Sequence, residues 1–132
     1  MKQLKGSCLC GAVHIEVPDE FAFIGNCHCS ACRKWTGSAF ASGGSVKSGD
    51  LAITKGEDAV TRYRKSESLE LAFCAQCGSS LFSWKPELGF YVIRLGILDD
   101  APSQKPALHI FVGSKAPWHE ITDALPAYKS AP

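Results

Sequence analysis

The stretch Cys74-Ala75-Gln76-Cys77-Gly78 has the strongest influence on the fold. Two cysteines separated by two residues and followed by glycine are typical of a zinc knuckle, because one tight turn presents both sulfurs and the glycine lets the backbone turn back. Cys8 and Cys10 also precede a glycine, and residues two apart on a strand point to the same side. The two pairs together predict a closed, tetrahedral four-thiolate zinc site.

The other three cysteines, Cys27, Cys29 and Cys32, form a separate group. Zinc held by three protein ligands keeps a fourth position for water or substrate, which is the pattern of catalytic sites. Arg33 and Lys34 follow directly, and their charges would offset the net negative charge of zinc with three thiolates or attract an anionic ligand. We therefore expect two Zn²⁺ per chain, one structural and one open, with the open one held more weakly.

Other arrangements of the cysteines remain open at this point. The first four could be free thiols or two disulfides, although an odd count of seven cysteines favours metal in a reducing compartment. The second group could be another structural site, completed by His28, His109 or a partner's residue, or a metal-free cluster of reactive thiols. His28 is a poor fourth ligand, because in an extended segment it would point away from a metal shared by its neighbours.

Length and composition bound the remaining possibilities. The 132 residues are expected to form a single domain, residues 1–132. A formal net charge of +1 counts against a nucleic-acid partner, and no run of apolar residues is long enough to predict a membrane span. The N-terminal stretch lacks the apolar region of a secretory signal, so we expect a cytoplasmic protein.

Turn signals at short spacing predict a mainly β fold. Gly25-Asn26 and Gly43-Gly44 are among the predicted turns. The expected strands are 12–17, 38–42, 51–54, 60–64, 68–73, 80–84, 90–95 and 107–112. One short helix is expected in the tail, where Trp118, Ile121 and Leu125 are spaced as on a helix face between Pro117 and Pro126.

The cysteine clusters and their surroundings closely resemble the glutathione-dependent formaldehyde-activating enzyme family, also called the GFA or CENP-V/GFA domain family. The segments that carry the resemblance are Gly6–Gly11, Cys27–Phe40, Phe73–Leu81 and Pro117–Pro126. The resemblance implies a Mss4-like β-sandwich of small antiparallel sheets. It also implies the same division of the cysteines: Cys8, Cys10, Cys74 and Cys77 on a structural zinc, and Cys27, Cys29 and Cys32 on a catalytic one.

The activity that the resemblance implies is a carbon–sulfur lyase reaction, the condensation of glutathione with formaldehyde to S-(hydroxymethyl)glutathione. An open zinc suits this reaction, because a coordinated thiol is deprotonated outright. The alternative function is a non-catalytic zinc-binding module of the same fold that binds a partner protein. That alternative predicts a saturated or absent second zinc and an exposed apolar patch of several hundred Å².

Several further residues are candidates for a role beside the zinc. Cationic side chains could bind the two carboxylates of glutathione, and the candidates are Arg33, Lys34, Arg94 and Lys115. His109 is either an acid/base group or a structural histidine with both nitrogens satisfied. Trp35, Phe40 and Trp118 are expected in the core rather than in a pocket wall.

Overall fold

Ten strands and one short helix form the regular structure of residues 2–132, which the computed structural model describes. The strands are β1 (Gln3–Ser7), β2 (His14–Pro18), β3 (Ile24–Cys27), β4 (Ala41–Lys47), β5 (Ala52–Lys55), β6 (Val60–Ser66), β7 (Leu69–Cys74), β8 (Ser80–Lys85), β9 (Phe90–Arg94) and β10 (His109–Ile110). The helix, α1, spans Ser30–Thr36, and 3₁₀ turns cover Ser48–Asp50, Glu57–Ala59, Leu95–Ile97 and Val112–Ser114. The prediction of a mainly β fold is confirmed.

The strands form two sheets. The smaller has the order β1-β2-β5, and the larger has the order β10-β3-β4-β9-β8-β7-β6. Neighbouring strands are antiparallel except β10 and β3, which run parallel with His109 opposite Asn26 and Ile110 opposite Cys27. This pairing brings the C-terminal part of the chain beside the end of β3, where the second cysteine group begins.

One hydrophobic core joins the two sheets. Leu4 and Ile15 of the smaller sheet belong to the same buried cluster as Leu81, Phe82 and Ile93 of the larger one. In β2 the buried and half-buried residues alternate, as expected for a strand with one face on the core. The prediction of a strand over 12–17 rested on this alternation, and the strand observed is His14–Pro18.

Two predicted turns lie inside strands instead. Gly25-Asn26 is in β3, and Gly43-Gly44 is in β4, which begins at Ala41 and so corrects the predicted strand 38–42. The glycines are needed for space: a Cβ at Gly44 would lie 2.6 Å from the Phe21 ring. Glycine occurs in strands at such close approaches as well as in turns, and the local sequence does not distinguish the two cases.

The helix predicted in the tail is wrong. Residues 117–126 form irregular structure, and Trp118 is 69% exposed rather than in the core. Tertiary hydrogen bonds replace the helix, since the backbone of His109 donates to the carbonyl of Pro126 and accepts from Tyr128. These bonds place the tail against β10.

The helix that does form, α1, is seven residues long and carries no buried residue that would give it an apolar period. The Cys29 side chain caps its first turn by accepting from the Cys32 amide, and Gly37 ends it in a left-handed conformation with φ 66°. Neither α1 nor any other helix in the described part of the chain has the length and apolar character needed to cross a membrane.

Candidate metal centres

The four cysteines Cys8, Cys10, Cys74 and Cys77 come together between the two sheets, with all four sulfurs within 4.8 Å of one another. The Cys10 Sγ lies 3.7 Å from the Cys8 Sγ and 3.8 Å from the Cys74 Sγ. Four sulfurs at about 2.3 Å from a tetrahedral zinc stand about 3.8 Å apart, so these spacings fit the ion. This group could hold a metal ion.

Two similar turns place the sulfurs of this group. Gly11 and Gly78 each follow the second cysteine of a pair, with φ 79° and 76°, and each donates its N–H to the carbonyl of the pair's first cysteine. Glycine adopts this left-handed conformation without steric cost. Cys8 and Cys10 therefore lie in a turn that follows β1 and not on a strand, which corrects the sequence-based description of that pair.

Three sulfurs of this group take part in hydrogen bonds with nearby backbone amides and a hydroxyl. The Val13 amide donates to the Cys8 Sγ at 3.2 Å, and the Gln76 amide donates to the Cys74 Sγ at 3.4 Å. The Ser79 hydroxyl and backbone amide lower the pKa of Cys77 to about 5. A metal ligand must be a thiolate, so these surroundings favour the binding form of Cys8 and Cys77, whereas desolvation and the neighbouring thiols raise the pKa of Cys10 to about 11.

The second group consists of Cys27, Cys29 and Cys32, whose sulfurs also lie within 4.8 Å of one another. Cys27 is the last residue of β3, Cys29 caps α1, and Cys32 lies in the first turn of that helix. Within residues 2–132, no histidine or carboxylate joins the three sulfurs at that distance. The group could hold a metal ion through three protein ligands.

Without a metal, the surroundings favour the thiolate of Cys29 and disfavour the thiolates of Cys27 and Cys32. Hydrogen bonds from the thiols of Cys27 and Cys32 lower the pKa of Cys29 far below that of a free thiol. Interaction with Cys27 and then with Cys29 raises the pKa of Cys32, and interaction with Cys29 raises the pKa of Cys27. Like charges at this distance repel, so a bound cation is needed for all three to be thiolates together.

His28 belongs to a different network. Its ring is fully buried, and its Nε2 lies 2.8 Å from the Nδ1 of His109, whose Nε2 lies 2.9 Å from a carboxylate oxygen of Asp123. Both ring nitrogens of His109 are thus engaged, as in a structural histidine. The ring centroid of Phe40 lies 4.9 Å from that of His28, so this aromatic residue packs on the network. Nothing in the sequence pointed to Asp123.

A cavity of about 340 Å³ adjoins the three-cysteine group. All three cysteines of the group line the cavity. Trp35, which was expected in the core, forms part of the cavity wall. Most of the other lining side chains are apolar: Phe23, Leu69, Leu71, Phe90, Val92 and Ile110. Such a volume and lining suit a small organic ligand.

Of the cationic candidates, only Arg94 lines this cavity. Arg33 donates from Nη1 to the Ser114 carbonyl at 2.9 Å, Lys34 is exposed, and Lys115 donates to the carbonyls of Ala116 and His119. A second cation, Lys85, also lines the cavity and was not found from the sequence. Its position follows from the pairing of β8 with β9, which local sequence does not reveal.

Comparison with protein families gives one match that spans most of the chain. The family described as "Glutathione-dependent formaldehyde-activating enzyme" matches residues 3–114. These residues contain both cysteine groups, β10 and the 3₁₀ turn that ends at Ser114.

Individual relatives are more distant. An "Uncharacterized lyase" of Schizosaccharomyces pombe is 32% identical over 82 residues, which are 62% of this chain and only 58% of the relative's length. A "Putative glutathione-dependent formaldehyde-activating enzyme" of Halomonas elongata is 29% identical over 89% of this chain and 80% of its own. A crystal structure of a Rhodobacter sphaeroides protein aligns with a TM-score of 0.63 at 28% identity, covering 77% of this chain and 97% of that one.

Proposed function

The chain belongs to the family of glutathione-dependent formaldehyde-activating enzymes, and from that membership and the site geometry we propose that it is a zinc-dependent carbon–sulfur lyase. Its substrates in this proposal are a thiol, glutathione, and formaldehyde or a related small aldehyde. The observation that carries the proposal is the three-sulfur group, open on one side to a small-molecule cavity.

The reaction joins the two substrates without loss of atoms. The thiol sulfur forms a bond to the carbonyl carbon, the carbon–oxygen π bond breaks, and the proton of the thiol ends on the oxygen to give a hydroxymethyl thioether. A zinc ion bound by Cys27, Cys29 and Cys32 would supply an open position at which a substrate thiol loses its proton at neutral pH. Four-sulfur coordination at the other site leaves no such position, so its proposed zinc is structural.

The residues around the group support the binding of both substrates. The capping bond from the Cys32 amide fixes the Cys29 sulfur, and the end of β3 fixes Cys27, so the three ligands are held by rigid elements. The apolar side chains of the cavity wall would limit the access of water to the reacting atoms. Holding thiol and aldehyde together in one cavity removes the cost of bringing them together, which is a large part of the gain available for such an addition.

X-ray absorption at the zinc edge tests the coordination directly. Metal analysis should give two zinc ions per chain, and seven cysteine sulfurs shared by two metals correspond to an average of about 3.5 sulfurs per zinc. Addition of glutathione should raise this average to about 4. An unchanged sulfur count would contradict the proposal and favour the non-catalytic, partner-binding module.

Activity needs a separate measurement, because thiols add to formaldehyde without a catalyst. Exchange spectroscopy with carbon-13-labelled formaldehyde and glutathione measures the rate of adduct formation at equilibrium. The rate should rise in proportion to protein concentration above the uncatalysed background, and the Cys29→Ser variant should remove that increment. Proportional acceleration by Cys29→Ser as well would place the reaction outside the three-cysteine site.

A further inference from the structure

Arg94 is a buried cation without a carboxylate partner. It is the last residue of β9 and is 8% exposed. No carboxylate pairs with it among residues 2–132; its Nη2 has one long contact, 3.5 Å to the Val92 carbonyl, and its Nε has no hydrogen-bond partner. A buried charge that no carboxylate pairs is unfavourable, so the structure leaves a place beside this guanidinium for negative charge in addition to that of the nearby sulfurs.

The surrounding residues are arranged to hold the guanidinium. The Cζ atom of Arg94 lies 5.2 Å from the centre of the Trp35 ring, within the range of a cation–π contact. On the neighbouring strand Gly43 stands directly opposite, and a Cβ there would lie 2.7 Å from the Arg94 Nη2. An aromatic face and a missing side chain thus make room for Arg94, and stacking on the ring uses none of the N–H donors at the edge of the fork.

The cavity that Arg94 lines is otherwise apolar near the three cysteines. Among the described residues no aspartate or glutamate lines it, and Lys85 is the one other charged residue in its wall. The three cysteines line the same cavity, so the sulfurs and the guanidinium face one space.

We propose that Arg94 binds a carboxylate of the substrate inside this cavity, so that the site selects thiols or aldehydes that carry an acid on an aliphatic body. The proposal rests on the proposed function for the position of the reacting sulfur. The apolar wall accommodates the body of the substrate, and the fork of Arg94 matches a carboxylate through two parallel N–H···O bonds. A neutral thiol of the same length would leave the guanidinium unpaired.

Calorimetry with matched thiols tests this selection on the zinc-loaded protein. The acid probe is 4-mercaptobutanoate, and the neutral probe of equal length is 4-mercapto-1-butanol. Hydrogen bonds to charged groups contribute roughly 1.5–3 kcal/mol, so the wild type should bind the acid about 10-fold to 150-fold more tightly. Equal affinity of wild type for acid and alcohol would overturn the proposal.

Variants assign the preference to a residue. Arg94→Met should bring the affinity ratio of acid to alcohol close to one, and Arg94→Lys should keep part of the preference through its charge. Arg62→Met is the matched control, because Arg62 also stacks on an aromatic ring, Phe82 at 5.4 Å, but lies outside the cavity. Circular dichroism and zinc content establish that each variant is folded and loaded.

Three outcomes separate this inference from the proposed function. If Arg94→Met lowers the affinities for the acid and the alcohol by the same factor, Arg94 acts only as a counter-ion of the sulfurs, and the inference is overturned. Loss of the preference in Lys85→Met but not in Arg94→Met would also overturn it. Hexanoate carries no sulfur: if it binds to wild type but not to Arg94→Met while glutathione leaves the zinc coordination unchanged, the carboxylate site stands and the lyase proposal fails.

Discussion

Replacing Cys74 by serine is expected to unfold the protein. Cys74 is fully buried and belongs both to the four-sulfur group and to the hydrophobic core. A structural zinc in a cysteine site contributes roughly 10–16 kcal/mol of apparent binding free energy. A folded domain of this kind has a net stability of only about 5–15 kcal/mol, so loss of the proposed zinc would remove an amount comparable with the whole.

The position of the four-sulfur group adds to this effect. Cys8 and Cys10 follow β1 of the smaller sheet. Cys74 is the last residue of β7 in the larger sheet, and Cys77 lies in the turn after it. A metal held by all four would tie the sheets together at one edge of their shared core. Its loss should therefore separate the sheets and not only loosen a turn.

Cys29→Ser is the matched control for this substitution. Cys29 caps α1 through its side chain, which accepts a hydrogen bond from the Cys32 amide. Serine is among the preferred capping residues, so the variant should keep this bond. We expect this variant to hold one zinc per chain and to melt within about 5 °C of the wild type, since roughly 1 kcal/mol shifts the melting temperature by a few degrees.

Far-UV circular dichroism and thermal melting test whether each variant is folded, and zinc analysis gives its metal content. The expected result is an unfolded Cys74→Ser and a folded Cys29→Ser. Identical melting curves for the two variants would refute the division into a structural and an open site. A cooperative transition of Cys74→Ser near the wild-type temperature would refute the claim that the metal decides folding.

Three further predictions concern packing, backbone and the tail. Phe82→Ala, which empties a fully buried position, should lower the free energy of unfolding by about 3–5 kcal/mol in urea titrations. Gly56→Ala should also destabilise the fold, because Gly56 has φ 76° and an added Cβ would overlap a backbone carbonyl, whereas Gly96→Ala, in open space, should cost less than about 1 kcal/mol by the same titration. Asp123→Asn should speed hydrogen exchange of the amide of His109. The bond from His109 lowers the pKa of Asp123. The contribution of this bond to stability is therefore present above the unfolded pKa near 4 and is lost as the pH falls through the lower folded pKa, so the difference between variant and wild type should disappear in strongly acidic solution.

Local sequence patterns were sufficient to predict a strand where one of its faces packs on the core. His14–Pro18 alternates buried and half-buried residues, so its period of two is visible in the sequence. In β4 the residues Gly43 and Gly44 look like a turn, because the reason for them, Phe21 and Arg94 on other segments, is distant in the chain. Glycine makes room for long-range contacts that no local window contains.

The residues of the candidate site also fall into those that local sequence predicts and those that it does not. The cysteines are grouped by short spacings, and the structure brings Cys27, Cys29 and Cys32 together as those spacings suggested. The other parts of the cavity come from strand register: Arg94 faces Gly43, and Lys85 pairs with Phe90. Such pairings depend on the order of strands in the sheet, which the sequence did not predict.

The separation of the four-sulfur group along the chain has a consequence for biosynthesis. Cys8 and Cys10 are 64 to 69 residues ahead of Cys74 and Cys77, so while the ribosome is still producing the middle of the protein, only half of this ligand set exists. A growing polypeptide emerges from its N-terminus over several seconds. During that interval the first pair has no partner sulfurs from the second, and binding of one metal ion by all four cysteines must wait until translation has passed Cys77.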